Sequence, residues 1–172
     1  VWALTLTGPA SWTRLAPSGN PPGPRSGHGA IYDPVGDRML VFGGLDRSSF
    51  LDDLYELSLS DAPAWRQLAP NGEPPPGRYG HTSVYDPARH RLVIFGGNVR
   101  STYRSDVWAL SLDGTLEWVE LDPGMEVPAA RYEHSAVYDS ARDRMLVFWG
   151  YGHSDIWALY FSPQSDWRPW VP

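Results

Sequence analysis

Short apolar runs separated by turn residues recur along the whole chain. The segment "HGAIYD" alternates apolar and polar positions, and "RMLVFGG" follows it after the turn "DPVGD". Both runs are rich in β-branched and aromatic residues, and proline after Asp33 is typical of a type I turn, so the pair predicts a β-hairpin. The stretch "LYELSL" alternates again, and a further turn leads to a short run around Trp65. No segment keeps a helical period, so the pattern predicts an all-β unit of four strands, which we call a to d.

The same unit occurs three times. The segment "RSGHGAIYDPVGDRMLVFGG" begins at residue 25, and segments that begin at 78 and 131 align with it without a gap, 53 residues apart both times. A block containing strands c and d follows each of them, and the first residues of the chain match that block alone. We therefore expect a single domain, 1–172, with a half unit at 1–17 and full units at 25–70, 78–123 and 131–172.

Strand b, written "MLVF" or "LVIF", is apolar at every position. A strand with two apolar faces is covered on both sides by other sheets, and stacked four-stranded antiparallel sheets of this kind are the blades of a β-propeller. Each unit also carries an R-x-x-H start, an aromatic residue in strand c and a tryptophan in strand d, and two of the three have Gly-Gly after strand b. These features resemble kelch repeats. The resemblance implies a kelch-type propeller of six or seven blades, of which this chain supplies about three and a half.

Composition narrows the function. The formal net charge is −6 and the 14 basic residues are scattered, which argues against nucleic-acid binding. No apolar stretch is long enough to span a membrane. Cysteine is absent, so disulfides, thiolate metal sites and the cysteine-dependent copper site of kelch-containing galactose oxidases are excluded. Without a recognisable catalytic motif, the sequence predicts a non-enzymatic module that needs no cofactor.

Residues that recur in every unit favour an architectural role over a functional one. Arginine begins each unit and histidine follows three residues later; we expect both to stabilise the first strand. His90 lies outside this pattern, in an a–b turn, and is predicted to be solvated.

The positions that vary between units are better candidates for recognition. In an antiparallel four-stranded blade the b–c and d–a loops emerge on the same face. Arginine and aromatic residues on rigid loops are typical interface anchors. The candidate binding residues are Arg47, Phe50, Asn98, Arg100, Tyr103, Arg104, Glu133, Trp149, Tyr151 and His153, with Tyr79 and Tyr132 close by.

Three functions fit this face. The resemblance to kelch domains implies recognition of a protein or peptide partner, and another propeller segment could complete the ring. A carbohydrate-binding or sugar-processing propeller, like the kelch-type sialic acid epimerases, would use aromatic loop residues and Arg47, Arg100 or Arg104 to bind a sugar carboxylate. A structural spacer in a larger surface protein is the third. The repeat wording is similar to that of bacterial kelch proteins, which would favour an exported or cell-surface location.

Trp149 replaces the first glycine of the Gly-Gly pairs at 43–44 and 96–97. We expect at least one glycine of each pair to have positive φ, and Trp149 to have negative φ because a bulky residue is strained in that region. The b–c loop of the third unit is also shorter. The indole is expected either to fill space under this short loop or to form a contact patch with Glu133, Tyr151 and His153.

Overall fold

The computed structural model describes residues 1–162 and 165–170, and its strands form four sheets. Strands c and d of a half blade, β1 (Trp2–Thr5) and β2 (Ser11–Arg14), pair only with each other. No helix occurs in the described residues, and so none there could cross a membrane. The all-β fold and the propeller-type arrangement are confirmed.

Three full blades follow, each with strands a to d in antiparallel order. Blade 1 contains β4 (Gly29–Asp33), β5 (Arg38–Leu45), β6 (Phe50–Ser58) and β7 (Ala64–Leu68), with the short β3 (Ser18–Gly19) added in parallel beside β7. Blade 2 contains β8 (Thr82–Asp86), β9 (Arg91–Val99), β10 (Thr102–Ser111) and β11 (Glu117–Leu121). Blade 3 contains β12 (Ser135–Asp139), β13 (Arg144–Phe148), β14 (Ile156–Tyr160) and β15 (Asp166–Pro169).

Each seam between blades is a hydrophobic core. The strand-b phenylalanine of one blade lies against the strand-d tryptophan of the next, with ring centroids 5.0 Å apart for Phe42 and Trp118 and 4.9 Å apart for Phe95 and Trp167. All four rings are buried, which stabilises each seam by roughly 2–3 kcal/mol per ring. Strand b of blade 2 is apolar on both faces because this blade fills a seam on each side.

The recurrent arginines pair with the aspartates at the start of strand c in their own blade. Arg78 donates two hydrogen bonds to Asp106, at 2.7 and 2.8 Å, and a third to the carbonyl of Gly96 at 2.9 Å. Arg131 makes the same contacts with Asp155 and the carbonyl of Trp149. Arginine therefore holds the end of strand b against the start of strand c in each blade.

The Gly-Gly pairs have positive φ, as expected, and at both positions of each pair. Gly43 and Gly44 have φ of 66° and 104°, and Gly96 and Gly97 have 64° and 102°. The prediction for Trp149 is wrong, because its φ is 59° and the backbone keeps the glycine conformation. Gly150, at 113°, keeps the geometry of the second glycine.

Replacing Gly97 with valine is expected to lower the free energy of unfolding by about 1–3 kcal/mol. A branched side chain is strained at this φ, and a Cβ atom would lie 2.9 Å from Cβ of His81. Urea denaturation measures the change. Gly114→Val is the matched control, because Gly114 also has positive φ but has open space around it. Its loss of unfolding free energy should come from backbone strain alone and should be smaller.

On the face opposite the b–c loops, the a–b turns link neighbouring blades through ion pairs. His90 hydrogen-bonds Asp113 of its own blade and, at 3.0 Å, Asp33 of blade 1. Arg89 binds Asp143 of blade 3 in a bidentate pair. The prediction that His90 is solvated is therefore wrong: its side chain is 14% exposed and bridges two blades.

Candidate binding face

The b–c loops and the starts of strand a meet on one face and form a continuous row of aromatic rings. Phe50 of blade 1 lies 5.7 Å from Tyr79 of blade 2, and Tyr79 lies 5.9 Å from Tyr132 of blade 3. Tyr103 stacks on Tyr132 at 4.7 Å, and Tyr151 contacts the same ring at 5.1 Å. These five residues, which we call the aromatic row, span all three blades.

Tyr132 is the centre of the row. It is half-buried, whereas Tyr103 and Tyr151 are exposed. Desolvation among these rings, together with a hydrogen bond to Tyr103, raises the pKa of the Tyr132 hydroxyl to about 12. The Tyr132 hydroxyl is neutral at physiological pH, and the row offers a binding partner apolar ring faces with hydroxyl groups at their edges.

A groove of about 510 Å³ lies beside the row, between the b–c loops of blades 1 and 2. Phe50 and Pro76 supply apolar walls, and Arg100 and Arg104 supply two cationic groups. Asp52 is the one acidic residue among those lining it. A pair of exposed guanidinium groups beside a half-buried ring suits a ligand that carries both a carboxylate and an apolar group.

The ten candidate residues do not form one site. Phe50, Tyr103, Tyr151, Arg100 and Arg104 belong to the row or the groove. Arg47 is exposed at the outer rim of blade 1, where it lines a separate hollow with Asp46 and Tyr55. His153 is half-buried, and its amide closes a turn on the carbonyl of Gly150.

Asn98 has a structural role. Its side chain is buried, donates to the hydroxyl of Tyr79 at 3.3 Å and accepts from the amide of Ser101 at 2.8 Å. These bonds hold the turn that presents Arg100, which adopts a φ of 48°.

Trp149 and Glu133 of blade 3 are both exposed. Trp149 is 59% exposed, so the interpretation that it fills space under its own loop is wrong. The centroid of its indole lies 6.4 Å from that of the Phe148 ring.

Tyr79, Tyr132, Asp52 and Pro76 were not among the candidate residues but contribute to the face. The two tyrosines follow the recurrent arginines and were noted only as neighbours. The sequence signal for them is that tyrosine occupies this position in blades 2 and 3, whereas blade 1 has serine there. Asp52 and Pro76 carry no distinguishing pattern.

A family model described as the KLHDC2/KLHL20/DRC7 Kelch-repeats domain matches residues 1–168. The chain belongs to the kelch-repeat family. This kelch segment is 32% identical over 165 residues to the flagellar outer-arm dynein alpha chain of Chlamydomonas reinhardtii, covering 88% of this chain and 3% of that protein. It is 34% identical over 161 residues to the host cell factor homolog hcf-1 of Caenorhabditis elegans, covering 81% and 20%. The serine/threonine-protein phosphatase BSL2 of Arabidopsis thaliana is 36% identical over 137 residues, 76% of this chain and 13% of that protein.

The kelch segment thus spans a fifth or less of each of these three relatives. They are eukaryotic proteins, so the bacterial style of the repeat is not supported. Membership of this family supports a protein-interaction module. The kind of partner must be inferred from the chemistry of the binding face.

Proposed function

We propose that the face carrying the aromatic row binds a peptide segment of a partner protein. The row supplies the contact surface, and Arg100 and Arg104 bind a carboxylate of the peptide in the adjacent groove. The observation that carries this proposal is the contact of five aromatic rings across three blades, from Phe50 to Tyr151.

Rigid placement supports it. Tyrosine offers a large contact area at a low cost in side-chain entropy, and here neighbouring rings restrict each other before a ligand arrives. The loops are also held by strand pairing: Gly97 pairs with Arg104, and Asn98 with Tyr103. Pre-organised aromatic and arginine side chains are the residue types that dominate binding energy at interfaces.

A random peptide library displayed on phage, selected against the immobilised protein, tests the proposal. We expect the enriched peptides to carry aspartate, glutamate or a free terminal carboxylate next to an apolar residue. Tyr103→Ala and Arg104→Ala should each weaken their binding at least tenfold, in line with the loss of an interface anchor.

Tyr32→Ala is the matched control. Tyr32 is also an exposed tyrosine on a strand, but it lies next to the a–b turn, where its hydroxyl donates to Asp37. Peptide binding should be unchanged in this variant. Enriched peptides whose binding is insensitive to both Tyr103→Ala and Arg104→Ala would contradict the proposal.

The carbohydrate alternative uses the same arginines and is tested by a glycan array that includes acidic sugars. Binding of a sialylated glycan that Arg104→Ala abolishes, with no peptide enriched, would favour it. If neither library yields a ligand, the spacer interpretation is favoured.

A further inference from the structure

Three backbone hydrogen bonds join each pair of neighbouring blades on the loop face. Between blades 2 and 3, the amide of Arg131 donates to the carbonyl of Arg104, and the amide of Gly97 donates to the carbonyl of Arg131. The amide of Glu133 donates to the carbonyl of Gly80, at 2.7 Å. The same three bonds, made by equivalent residues, join blades 1 and 2. The incoming R-x-x-H segment is thus bound to the blade before it.

Two glycines on the receiving blade leave room for this segment. A Cβ atom on Gly96 would lie 2.8 Å from the carbonyl oxygen of Arg131 and 3.1 Å from the ring of His134. A Cβ atom on Gly80 would lie 3.2 Å from both the amide nitrogen of Glu133 and the ring of Tyr132. Gly43 and Gly27 stand in the same relation to the segment of blade 2.

Blade 3 has a side chain at both of these positions. Trp149 and Glu133 replace the two glycines, and their φ values of 59° and 53° match those of Gly96, 64°, and Gly80, 67°. Because the backbone conformation is unchanged, each Cβ points in the direction in which the glycines face the next blade. The indole and the carboxylate project into the volume that an R-x-x-H segment would fill.

The short b–c loop removes a further docking element. In blade 2 the strands continue pairing beyond Phe95 and Val107, to Gly97 with Arg104, and so place the Arg104 carbonyl at the seam. In blade 3 pairing stops at Phe148 with Ile156, and the amide of Trp149 donates to the carbonyl of Asp155 instead. In the shorter loop the residue at the position of Arg104 is His153, which lies outside the strand pairing, in a turn closed on the carbonyl of Gly150.

We call the face of each blade that meets the following blade its outgoing face. Away from the loops, where the strands themselves form the surface, the outgoing face of blade 3 is apolar like those of blades 1 and 2. Val137, Leu146, Phe148 and Ile156 stand where Val84, Val93, Phe95 and Val107 of blade 2 form the next seam. Val137 is half exposed. The strand surface of blade 3 can therefore pack against the apolar face of another blade. The loop end, which carries Trp149 and Glu133, excludes an R-x-x-H segment.

We infer that the outgoing face of blade 3 selects its neighbour: it receives a propeller blade whose first strand lacks the arginine–x–x–histidine segment and rejects one that has it. Trp149 and Glu133 are the two residues that make the selection. Blade 1 begins with Arg25-Ser26-Gly27-His28, so a second copy of this chain is among the rejected neighbours.

The test moves the selecting residues to a seam that is occupied. Gly96→Trp and Gly80→Glu place them between blades 2 and 3, and a loop exchange replaces residues 96–105 with residues 149–154. Hydrogen–deuterium exchange at the amides of Arg131 and Glu133 reports on that seam. We expect these two amides to exchange at least tenfold faster than in the unaltered chain. The amides of Arg78 and Gly80, at the seam between blades 1 and 2, should stay protected. In Gly80→Glu only the amide of Arg78 serves as this internal reference. Gly96→Ala introduces the backbone strain at positive φ without the indole. If this variant stays folded and the variants above unfold globally, the unfolding supports the same conclusion.

The reverse substitutions, Trp149→Gly and Glu133→Gly, are the matched controls and should leave exchange at both existing seams within twofold. Faster exchange at Arg131 in Trp149→Gly would show that the indole serves its own blade and would overturn the inference. Unchanged exchange at Arg131 and Glu133 in Gly96→Trp, Gly80→Glu and the loop exchange would overturn it as well.

Discussion

Replacing Arg78 with methionine is expected to lower the free energy of unfolding by about 3–5 kcal/mol, the cost of breaking a buried ion pair. The Arg78 side chain has no exposed surface, and its guanidinium makes two bonds to Asp106 and one to the carbonyl of Gly96. Methionine keeps the aliphatic length and removes all of these donors. Although burial favours the protonated form of Asp106, hydrogen bonds from Arg78 hold the pKa of that carboxyl below its ordinary value. The variant would leave this largely buried carboxylate without its cation.

Urea denaturation at pH 7 measures the loss. Arg168→Met is the matched control, because Arg168 also pairs with an aspartate, Asp166, but its side chain is 65% exposed. Solvent screens an exposed pair, so this variant should unfold close to the unaltered chain. Equal losses in the two variants would refute the role assigned to Arg78.

The blade itself could be predicted from the sequence because its determinants are local. Alternation in strand c, the apolar strand b and the turn after Asp33 each reflect contacts within a few residues or with an adjacent strand. Repetition adds a second source of information, since a residue found in three units at one position is required by the unit. The architectural role of the recurrent arginine and the positive φ of the Gly-Gly pairs follow from that reasoning.

Contacts between blades were harder to predict because they depend on how one sheet is rotated against the next. The sequence predicts a solvated His90, whereas its imidazole hydrogen-bonds Asp33 across a seam. The aromatic row was only partly anticipated, since contact between Phe50 and Tyr79 requires two loops from different blades to converge.

Trp149 shows a different limit. Its side chain suggested that the backbone would change to avoid strain, whereas the repeat architecture holds the glycine conformation, and a non-glycine residue tolerates it at a cost of about 1–3 kcal/mol. Surrounding structure, which the sequence alone does not show, decides such a conflict.

Stability is expected to fall as the pH is lowered from 6.5 to 5, before the carboxylates titrate. Burial, together with the nearby Arg78, lowers the pKa of His81 to about 3, and burial together with Arg131 lowers that of His134 to about 4. Both side chains lie in seams, where His81 contacts Phe42 and His134 contacts Phe95. They stay neutral in the folded protein at pH 5, whereas the unfolded chain, with an ordinary histidine pKa of 6.5, takes up a proton at each.

Because the unfolded state then binds more protons, stability decreases with falling pH, by about 2 kcal/mol for each histidine at pH 5. Urea denaturation between pH 5 and 7.5 measures this slope. His81→Leu removes one of the histidines whose pKa is lowered, and the slope below pH 6.5 should be clearly smaller in that variant. A slope equal to that of the unaltered chain would contradict the assignment.

His90 should produce the opposite dependence. Its hydrogen bond with Asp113, and then that with Asp33, raise the pKa of the imidazole above its ordinary value of 6.5. A charged His90 therefore stabilises the contact between blades 1 and 2 below pH 6.5, and this contribution is lost as the pH rises through the raised pKa. Two variants separate these effects. His90→Gln should flatten the decline in stability above pH 6.5 and leave the decline below it unchanged. His81→Leu should reduce the decline below pH 6.5 and leave the decline above it unchanged. Stability is thus expected to be greatest somewhat above pH 6.5, where the seam histidines are mostly neutral in the unfolded chain as well and His90 still holds its proton in the folded protein.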